Sequence, residues 1–184
     1  MSLLEIFLTG VGLAMDAFAV SICKGLAIGK VRPGHMILAG LWFGLFQALM
    51  PVLGFLAGSF LSNFVSAWSP WIAFILLAII GGNMIREAGE NEEADASMAP
   101  LTMFLLAVAT SIDAFAVGAS LALLGGDIRV AAPIIGLTTF CISAAGVKIG
   151  GIFGSKWGKA SRIAGGIILI LIGIRILISG LLGA

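Results

Sequence analysis

The stretch Met15-Asp16-Ala17-Phe18-Ala19-Val20 decides the fold, because it places a carboxylate in the middle of a long apolar segment. The pattern recurs as Ile112-Asp113-Ala114-Phe115-Ala116-Val117, with five of the six positions identical. At about 1.5 Å of rise per helical residue, each Asp falls near the centre of a segment long enough to cross a bilayer. The repeated motif therefore predicts a membrane protein built from two related halves.

The composition agrees with a membrane location. Hydrophobic residues make up 60% of the 184 residues, charged residues only 10%, and the mean hydropathy is +1.19. An average soluble domain is roughly a quarter charged, so we expect the lipid bilayer to act as part of the solvent for this chain. The net charge of +1 argues against a nucleic-acid partner.

Six apolar segments are long enough to be membrane spans, which predicts an all-α integral membrane protein with six transmembrane helices. Polar or charged stretches separate them, including Gly29 to His35, Ser62 to Ser69 and the acidic run from Arg86 to Pro100. The predicted spans are roughly 3–27, 36–60, 70–87, 101–124, 132–154 and 163–183.

The repeat divides the chain into three parts. Residues 1–89 form a first three-helix repeat, 90–100 an acidic cytoplasmic linker, and 101–184 a second three-helix repeat. The stretch from Gly54 to Ser59 resembles that from Gly150 to Ser155, which supports the same pairing. Since each unit has an odd number of spans, the second should enter the membrane upside down, as in many transporters.

The distribution of Lys and Arg predicts the orientation. The loop regions after spans one, three and five contain most of these residues, and the opposite side has Arg129. The first side is therefore predicted to be cytoplasmic, with both termini outside the cytoplasm and the protein in the cell (inner) membrane. The basic residues of the first side are Lys30, Arg32, Arg86, Lys156, Lys159 and Arg162.

Asp16 and Asp113 are the strongest candidates for a functional site. A carboxylate near the centre of a span costs roughly 2.5–3.5 kcal/mol on insertion scales, so two at repeat-related positions indicate a use. If the two carboxylates lie close together, they would repel each other in an empty site of charge −2. A divalent cation would neutralise that charge. Oxygen ligands suit hard cations such as Mn²⁺, Mg²⁺ and Ca²⁺.

Four polar residues in the spans are weaker candidates for metal ligands. Thr110 lies three residues before Asp113 and shares its helical face. Gln47 and Asn83 are amides in apolar segments and could equally make interhelical hydrogen bonds. Ser143 is the repeat partner of Gln47 and inherits the same two interpretations. Asp16 and Cys23 also share a face, which would bring a soft sulfur near the site.

Basic residues within the spans have two interpretations. Lys148 lies in the middle of span five and could pair with an Asp in the metal-free state, or it could extend to the interface. Lys24 and Arg175 are interpreted as side chains that extend toward a membrane surface.

The chain resembles the manganese efflux pump MntP family over nearly its whole length. The matching pieces are Met15 to Ala19 followed by Lys24-Gly25, Pro70 to Phe74 leading to Gly81-Gly82, and Thr110 to Ala114. The resemblance implies an inner-membrane Mn²⁺ exporter related to lysine-exporter-type transporters, with Asp16 and Asp113 as the important acids. Some members have Glu where this chain has Gln47, and Lys148 is atypical.

These observations predict export of a divalent cation, most notably Mn²⁺, by alternating access. Mn²⁺ is then the transported substrate, and no permanently bound cofactor is predicted. The predicted partners are the lipid bilayer and the metal ion, and protons are a candidate counter-ion. Alternatives are an exporter of amino acids or other small organic cations, and a passive cation channel. An intramembrane aspartyl protease is disfavoured because the chain has no Tyr, so no enzymatic activity is predicted.

Overall fold

The chain is almost wholly helical where it is described, in a computed structural model that describes residues 3–89, 98–157 and 159–182. Helix α1 begins two residues into the chain and contains the first Asp motif, whereas the second motif lies at the start of α4. The helices are α1 (Leu3–Ile28), α2 (Pro33–Gly89), α3 (Pro100–Ala109), α4 (Ile112–Leu123), α5 (Ile128–Trp157) and α6 (Lys159–Leu182).

Helix α2 joins the second and third predicted spans. Its single non-helical residue is Gly58, with φ 60° and ψ −161°, which bends the helix there. Glycine adopts a positive φ without the steric cost that a Cβ atom adds. The predicted loop from Ser62 to Ser69 is therefore wrong: the backbone is helical across these residues, because Gly58 alone changes the direction of the chain.

In the described part of the chain, three helices are long and apolar enough to cross a membrane. They are Leu3–Ile28, Pro33–Gly58 and Ile128–Gly154. A fourth is added if Pro100–Ala109 and Ile112–Ala122, which meet at a bend of 45°, count as one broken span. Pro70–Gly82 and Ile163–Ser179 are shorter apolar segments. The all-helical class is confirmed, and the six-span arrangement remains a prediction.

Close helix packing depends on glycines. A Cβ atom on Gly150 of α5 would overlap the carbonyl oxygen of Ile22 on α1, and one on Gly10 of α1 would lie 3.2 Å from the Cα atom of Ile135. The contacts advance together along α1 and α5, so these two helices run in the same direction.

The two segments of helix α2 together contact α4, α5 and α6. On α5 it packs in the antiparallel sense: Gly40 approaches Phe140, whereas Gly44 approaches the carbonyl oxygen of Gly136. The proposed acidic linker falls mainly on residues 90–97, which lie outside the described residues.

Candidate functional site

Asp16 lies in the middle of an unbroken helix. Helix α1 runs from Leu3 to Ile28, and the Asp16 side chain is half-buried, whereas its neighbours Ala14 and Ala17 are fully buried. The small buried residues let α1 pack closely against the bundle. The Asp16 carboxyl group therefore lies at the edge of the α1 packing face, about 20 Å along the helix from its start.

The second motif has a different backbone. Helix α3 ends at Ala109, Thr110 and Ser111 form a turn, and α4 begins at Ile112. Both hydroxyl groups bond to carbonyl oxygens of the preceding turn: Thr110 Oγ1 donates to Leu106 O at 3.0 Å and Ser111 Oγ donates to Ala107 O at 2.5 Å. Such side-chain bonds can bend a helix, but Ser120 and Thr139 make the same kind of bond inside continuous helices, so the bonds of Thr110 and Ser111 accompany the break and do not by themselves cause it.

Asp113 lies in the first turn of α4, directly after this break. Its Oδ1 atom accepts a hydrogen bond from the backbone N–H of Ala114 at 2.8 Å, and the side chain is exposed. A carboxylate is favourable at this position because the N–H groups of the first turn are otherwise unpaired. Ala114, directly after Asp113, and Leu13, one turn before Asp16, belong to one cluster of buried residues, so the two predicted acids lie in one region of the bundle.

Gln47 is fully buried on α2 and faces α1. Its Nε2 atom donates a hydrogen bond of 2.7 Å to the carbonyl oxygen of Leu13, one turn before Asp16. Its Oε1 atom is buried without a hydrogen-bond partner. Four residues later, Pro51 has no backbone N–H, so the carbonyl oxygen of Gln47 does not receive the usual helical bond. Gln47 thus has two oxygen atoms that could bind a cation, the side-chain Oε1 atom and the main-chain carbonyl oxygen.

Two further hydroxyl groups are buried without a partner in the described part of the chain, those of Ser143 on α5 and Ser21 on α1. A Cβ atom on Gly146, three residues after Ser143, would lie 2.9 Å from the Cβ atom of Ser21, which places both serines in the α1–α5 contact. Ser143 was predicted and Ser21 was not, since one Ser in an apolar span has no distinctive sequence signal. Asn83 lies on α2, and the structure does not describe its side chain.

The basic side chains of the spans have different environments. Lys24 is only 1% exposed, so the interpretation that it extends to a membrane surface is wrong: it packs inside the bundle beside Gly25, where α1 meets α5. Lys148 is exposed on α5. Arg175 on α6 is also exposed, and its positive charge interacts with Asp16.

In the part of the chain that the structure describes, the two acids do not belong to a larger cluster of metal-binding side chains. Among the residues that the structure describes, no group of three or more His, Cys, Asp and Glu side chains could hold a metal ion. Cys23, the candidate soft ligand, is fully buried two turns from Asp16. Further ligands for a cation at the two aspartates would have to be neutral oxygens, such as those of Gln47 or main-chain carbonyl groups.

Comparison with known proteins places the chain in a family. Residues 30–177 match the family described as "Putative manganese efflux pump". The chain belongs to the MntP family. Relatives with this name are 51% identical in Bifidobacterium adolescentis, over 95% of this chain and 95% of the relative, and 49% identical in Desulfitobacterium hafniense, over 97% and 95%. A relative from Methanosphaera stadtmanae is 43% identical over 96% of this chain and 99% of the relative.

Membership in the MntP family confirms the resemblance inferred from the repeated Asp motif. The relatives match over nearly their whole length, so the match extends across the two motifs, the kinked α2 and the break between α3 and α4. No solved structure matches the chain.

Proposed function

We propose that this MntP-family chain exports Mn²⁺ from the cytoplasm across the inner membrane by alternating access, through a site built on Asp16 and Asp113. The proposal rests on one observation above all. Two carboxylates at repeat-related positions flank one buried cluster, which contains Leu13 one turn before Asp16 and Ala114 directly after Asp113, in a chain about half identical to relatives named "Putative manganese efflux pump MntP".

The chemistry of the donors supports a hard divalent ion. Two ionised carboxylates supply a charge of −2, and the buried Oε1 atom of Gln47, which has no hydrogen-bond partner, is a candidate neutral donor. Thr110, Ser143 and Asn83 are weaker candidates for the same site. Oxygen ligands favour Mn²⁺, Mg²⁺ and Ca²⁺, whereas Zn²⁺ and Cu²⁺ prefer sites with imidazole or thiolate.

The proposed architecture is six spans in two inverted three-helix repeats. The pairing of Gln47 with Ser143 also pairs Gly40 with Gly136 and Gly44 with Phe140. If each residue is replaced by its repeat partner, the contact between Gly40 and Phe140 is converted into a contact between Gly136 and Gly44. The structure has both contacts. Such an exchange is expected when a pseudo-two-fold axis passes between α2 and α5.

The two repeats differ in one respect that suits alternating access. Helix α1 is continuous through Asp16, whereas the matching segment is broken at Thr110 and Ser111 before Asp113. In an inverted-repeat carrier, the two halves adopt different conformations that exchange as the site opens from one side to the other. Transport requires no resident cofactor or enzymatic step, and protons remain the proposed counter-ion.

The test uses the full chain purified into vesicles, with Mn²⁺ flux measured by a metal-sensitive dye. We expect Asp16→Asn and Asp113→Asn each to abolish flux, because a site of charge −1 offsets less of the dehydration of the ion. The double variant should be no worse than either single one, since both acids serve one ion. Asp127→Asn, in the turn before α5, is the matched control and should keep full flux.

Expression and folding are measured for the same variants. Removing a carboxylate that serves only an ion should leave the yield of folded protein unchanged. Flux in either well-folded single variant would refute the shared site, and wild-type flux of Zn²⁺ or Cu²⁺ without Mn²⁺ would refute the metal.

A further inference from the structure

The contact between α2 and α4 is closest at a pair of facing glycines. A Cβ atom on Gly118 would overlap the carbonyl oxygen of Pro51, and a Cβ atom on Gly54 would overlap that of Phe115. Each glycine thus lies against the carbonyl group of the residue three positions before the other glycine. A helical carbonyl group points along the helix toward the following turn, so Gly54 and Gly118 lie at the same level and face each other.

The contact between α1 and α5 has the same geometry with a different pair. A Cβ atom on Gly25 would overlap the carbonyl oxygen of Val147, and a Cβ atom on Gly150 would overlap that of Ile22. Each glycine again lies against the carbonyl group three positions before the other. Gly25 and Gly150 are therefore the facing pair of this contact.

The two contacts differ in register by one helical turn. The repeat of the Asp motif pairs Gly118 with Ser21. The repeat of the glycine motif pairs Gly54 with Gly150. If both repeats had the same conformation, Gly150 would therefore face Ser21. It faces Gly25 instead, four residues later, which is a displacement of about 6 Å along α1.

This register difference predicts how the two conformations exchange. In an inverted-repeat carrier, each repeat adopts in turn the conformation of the other. Gly150 would then face Ser21, and Gly54 would face Ala122 in place of Gly118. Packed elements can move past each other by one whole turn, because interlocked side chains have discrete arrangements. Ser21 and Ala122 are both small, so each contact can accept the new register.

Both helices that contain an acid would move in the same direction. The exchange moves α1 toward its own end relative to α5, and it moves α4 toward its own beginning relative to α2. Helix α4 leads into α5 through the short turn 124–127, so these two helices run in opposite directions. Since α1 runs with α5, the end of α1 and the beginning of α4 point the same way. Asp16 and Asp113 would therefore move together.

The hydroxyl group of Ser21 supports the existence of a second register. Its Oγ atom is buried and has no hydrogen-bond partner among the residues that the structure describes. In the exchanged register Ser21 would take the place of Gly25 beside the carbonyl oxygen of Val147, which can accept a hydrogen bond. A buried hydroxyl group without a partner is costly, so the exchange would remove a cost that this conformation has.

We propose that the transport step is a one-turn slide of α1 and α4 against α5 and the first segment of α2, which moves the two-aspartate site by about 6 Å. This inference rests on the proposed function and specifies its conformational change. A metal ion held by both acids would move with them. The slide is directed toward the end of α1, which the distribution of Lys and Arg predicts to be cytoplasmic. The described conformation is then the one displaced toward the outside.

Paired cysteines distinguish the two registers. A Cβ atom on Gly10 of α1 would lie 3.7 Å from the Cβ atom of Thr138 on α5, a separation typical of a disulfide. Ile6 lies about one turn before Gly10, so it should reach Thr138 only after α1 has moved one turn toward its end. Ala17 lies about two turns after Gly10 and should not reach Thr138 in either register.

The experiment uses the full chain with both native cysteines replaced by Ala, in vesicles with Mn²⁺ as the probe. The pairs Gly10→Cys/Thr138→Cys and Ile6→Cys/Thr138→Cys should both form disulfides on oxidation. Each disulfide should reduce Mn²⁺ flux about tenfold or more, because it holds the carrier in one register, and a reductant should restore the flux. The control pair Ala17→Cys/Thr138→Cys should form no disulfide and keep its flux.

The pair at Ile6 and Thr138 decides the proposal, and it retains Gly10, so crowding at that glycine does not affect it. Ser21→Ala in the same chain should slow formation of this disulfide about fivefold, because it removes the hydrogen bond gained in the exchanged register. Mn²⁺ flux in a chain that never forms the Ile6–Thr138 disulfide, or equal cross-linking of the Ala17 control, would overturn the slide. Formation of both disulfides without Mn²⁺ flux in the reduced protein would instead refute the proposed function and support the slide.

Discussion

The side-chain amide of Gln47 donates a hydrogen bond of 2.7 Å to the carbonyl oxygen of Leu13 on α1. In the sequence repeat, Leu13 corresponds to a residue in the break between α3 and α4. The register that pairs Asp16 with Asp113 also pairs Leu13 with Thr110. In one repeat this position lies in a turn, and in the other it lies in a continuous helix that an amide from α2 contacts. Gln47 therefore joins α2 to the part of α1 where the two repeats differ.

Replacing Gln47 by Leu should separate metal binding from stability. The change removes an unpartnered buried oxygen as well as one hydrogen bond, so we expect a change of about 1 kcal/mol or less in the free energy of unfolding. The loss of a ligand or ligand-orienting group should raise the KM for Mn²⁺ about tenfold or more. Thr139→Val is the control, because the buried Thr139 hydroxyl already bonds to Ile135 O. An unchanged KM in Gln47→Leu would exclude Gln47 from the site.

Ser111→Ala should reduce transport, because the Ser111 hydroxyl bonds to Ala107 O at the break. Without that bond the chain can form a more continuous helix through Asp113, and a misplaced carboxylate binds the ion poorly. We expect Mn²⁺ flux to decrease about tenfold with little change in protein yield. Ser120→Ala is the matched control for Ser111→Ala, because the Ser120 hydroxyl makes the equivalent hydrogen bond to Ala116 O inside α4. Equal flux in the two variants would mean that the break does not depend on Ser111.

The all-helical class was predicted from the sequence but the break was not, and the role of the two acids stays a prediction. The motif around Asp113 is nearly the same as the one around Asp16. The helix is nevertheless broken just before Asp113, whereas it is continuous through Asp16. The difference lies just upstream, where Thr110-Ser111 replaces Leu13-Ala14. Adjacent hydroxyl side chains are not a sufficient signal, because Thr138-Thr139 lie within the continuous helix α5. The bend at Gly58 was harder to predict, because many glycines in this chain serve helix packing instead.

The orientation of the chain can be tested at two turns that the structure describes. The excess of Lys and Arg predicts that the turn at Lys30 is cytoplasmic and that the turn at Asp127 is outside. In a chain with Cys23 and Cys141 replaced by Ala, a cysteine at position 127 should react with an impermeant thiol reagent in intact cells. A cysteine at position 30 should react only after the cells are opened. The reverse pattern would invert the proposed topology.

The close approach of α2 and α4 predicts a site that cannot accept one added methyl group. A Cβ atom on Gly54 would overlap the carbonyl oxygen of Phe115 and lie 3.1 Å from the backbone nitrogen of Ala119. Both neighbours are main-chain atoms of α4, the helix that contains Asp113, so neither can move without displacing the helix. Gly54→Ala should therefore destabilise the protein by about 1–3 kcal/mol, the usual range for overpacking.

Gly12→Ala is the matched control for this substitution, because nothing lies within 4 Å of the added Cβ atom on α1. Its helix propensity should improve, so its stability should stay unchanged or increase by up to about 1 kcal/mol. Thermal unfolding in detergent measures the stability of both variants, and Mn²⁺ flux measures whether a displaced α4 also misplaces Asp113. We expect Gly54→Ala to lose both stability and flux. Wild-type stability in Gly54→Ala would mean that α2 and α4 lie farther apart than the structure has them.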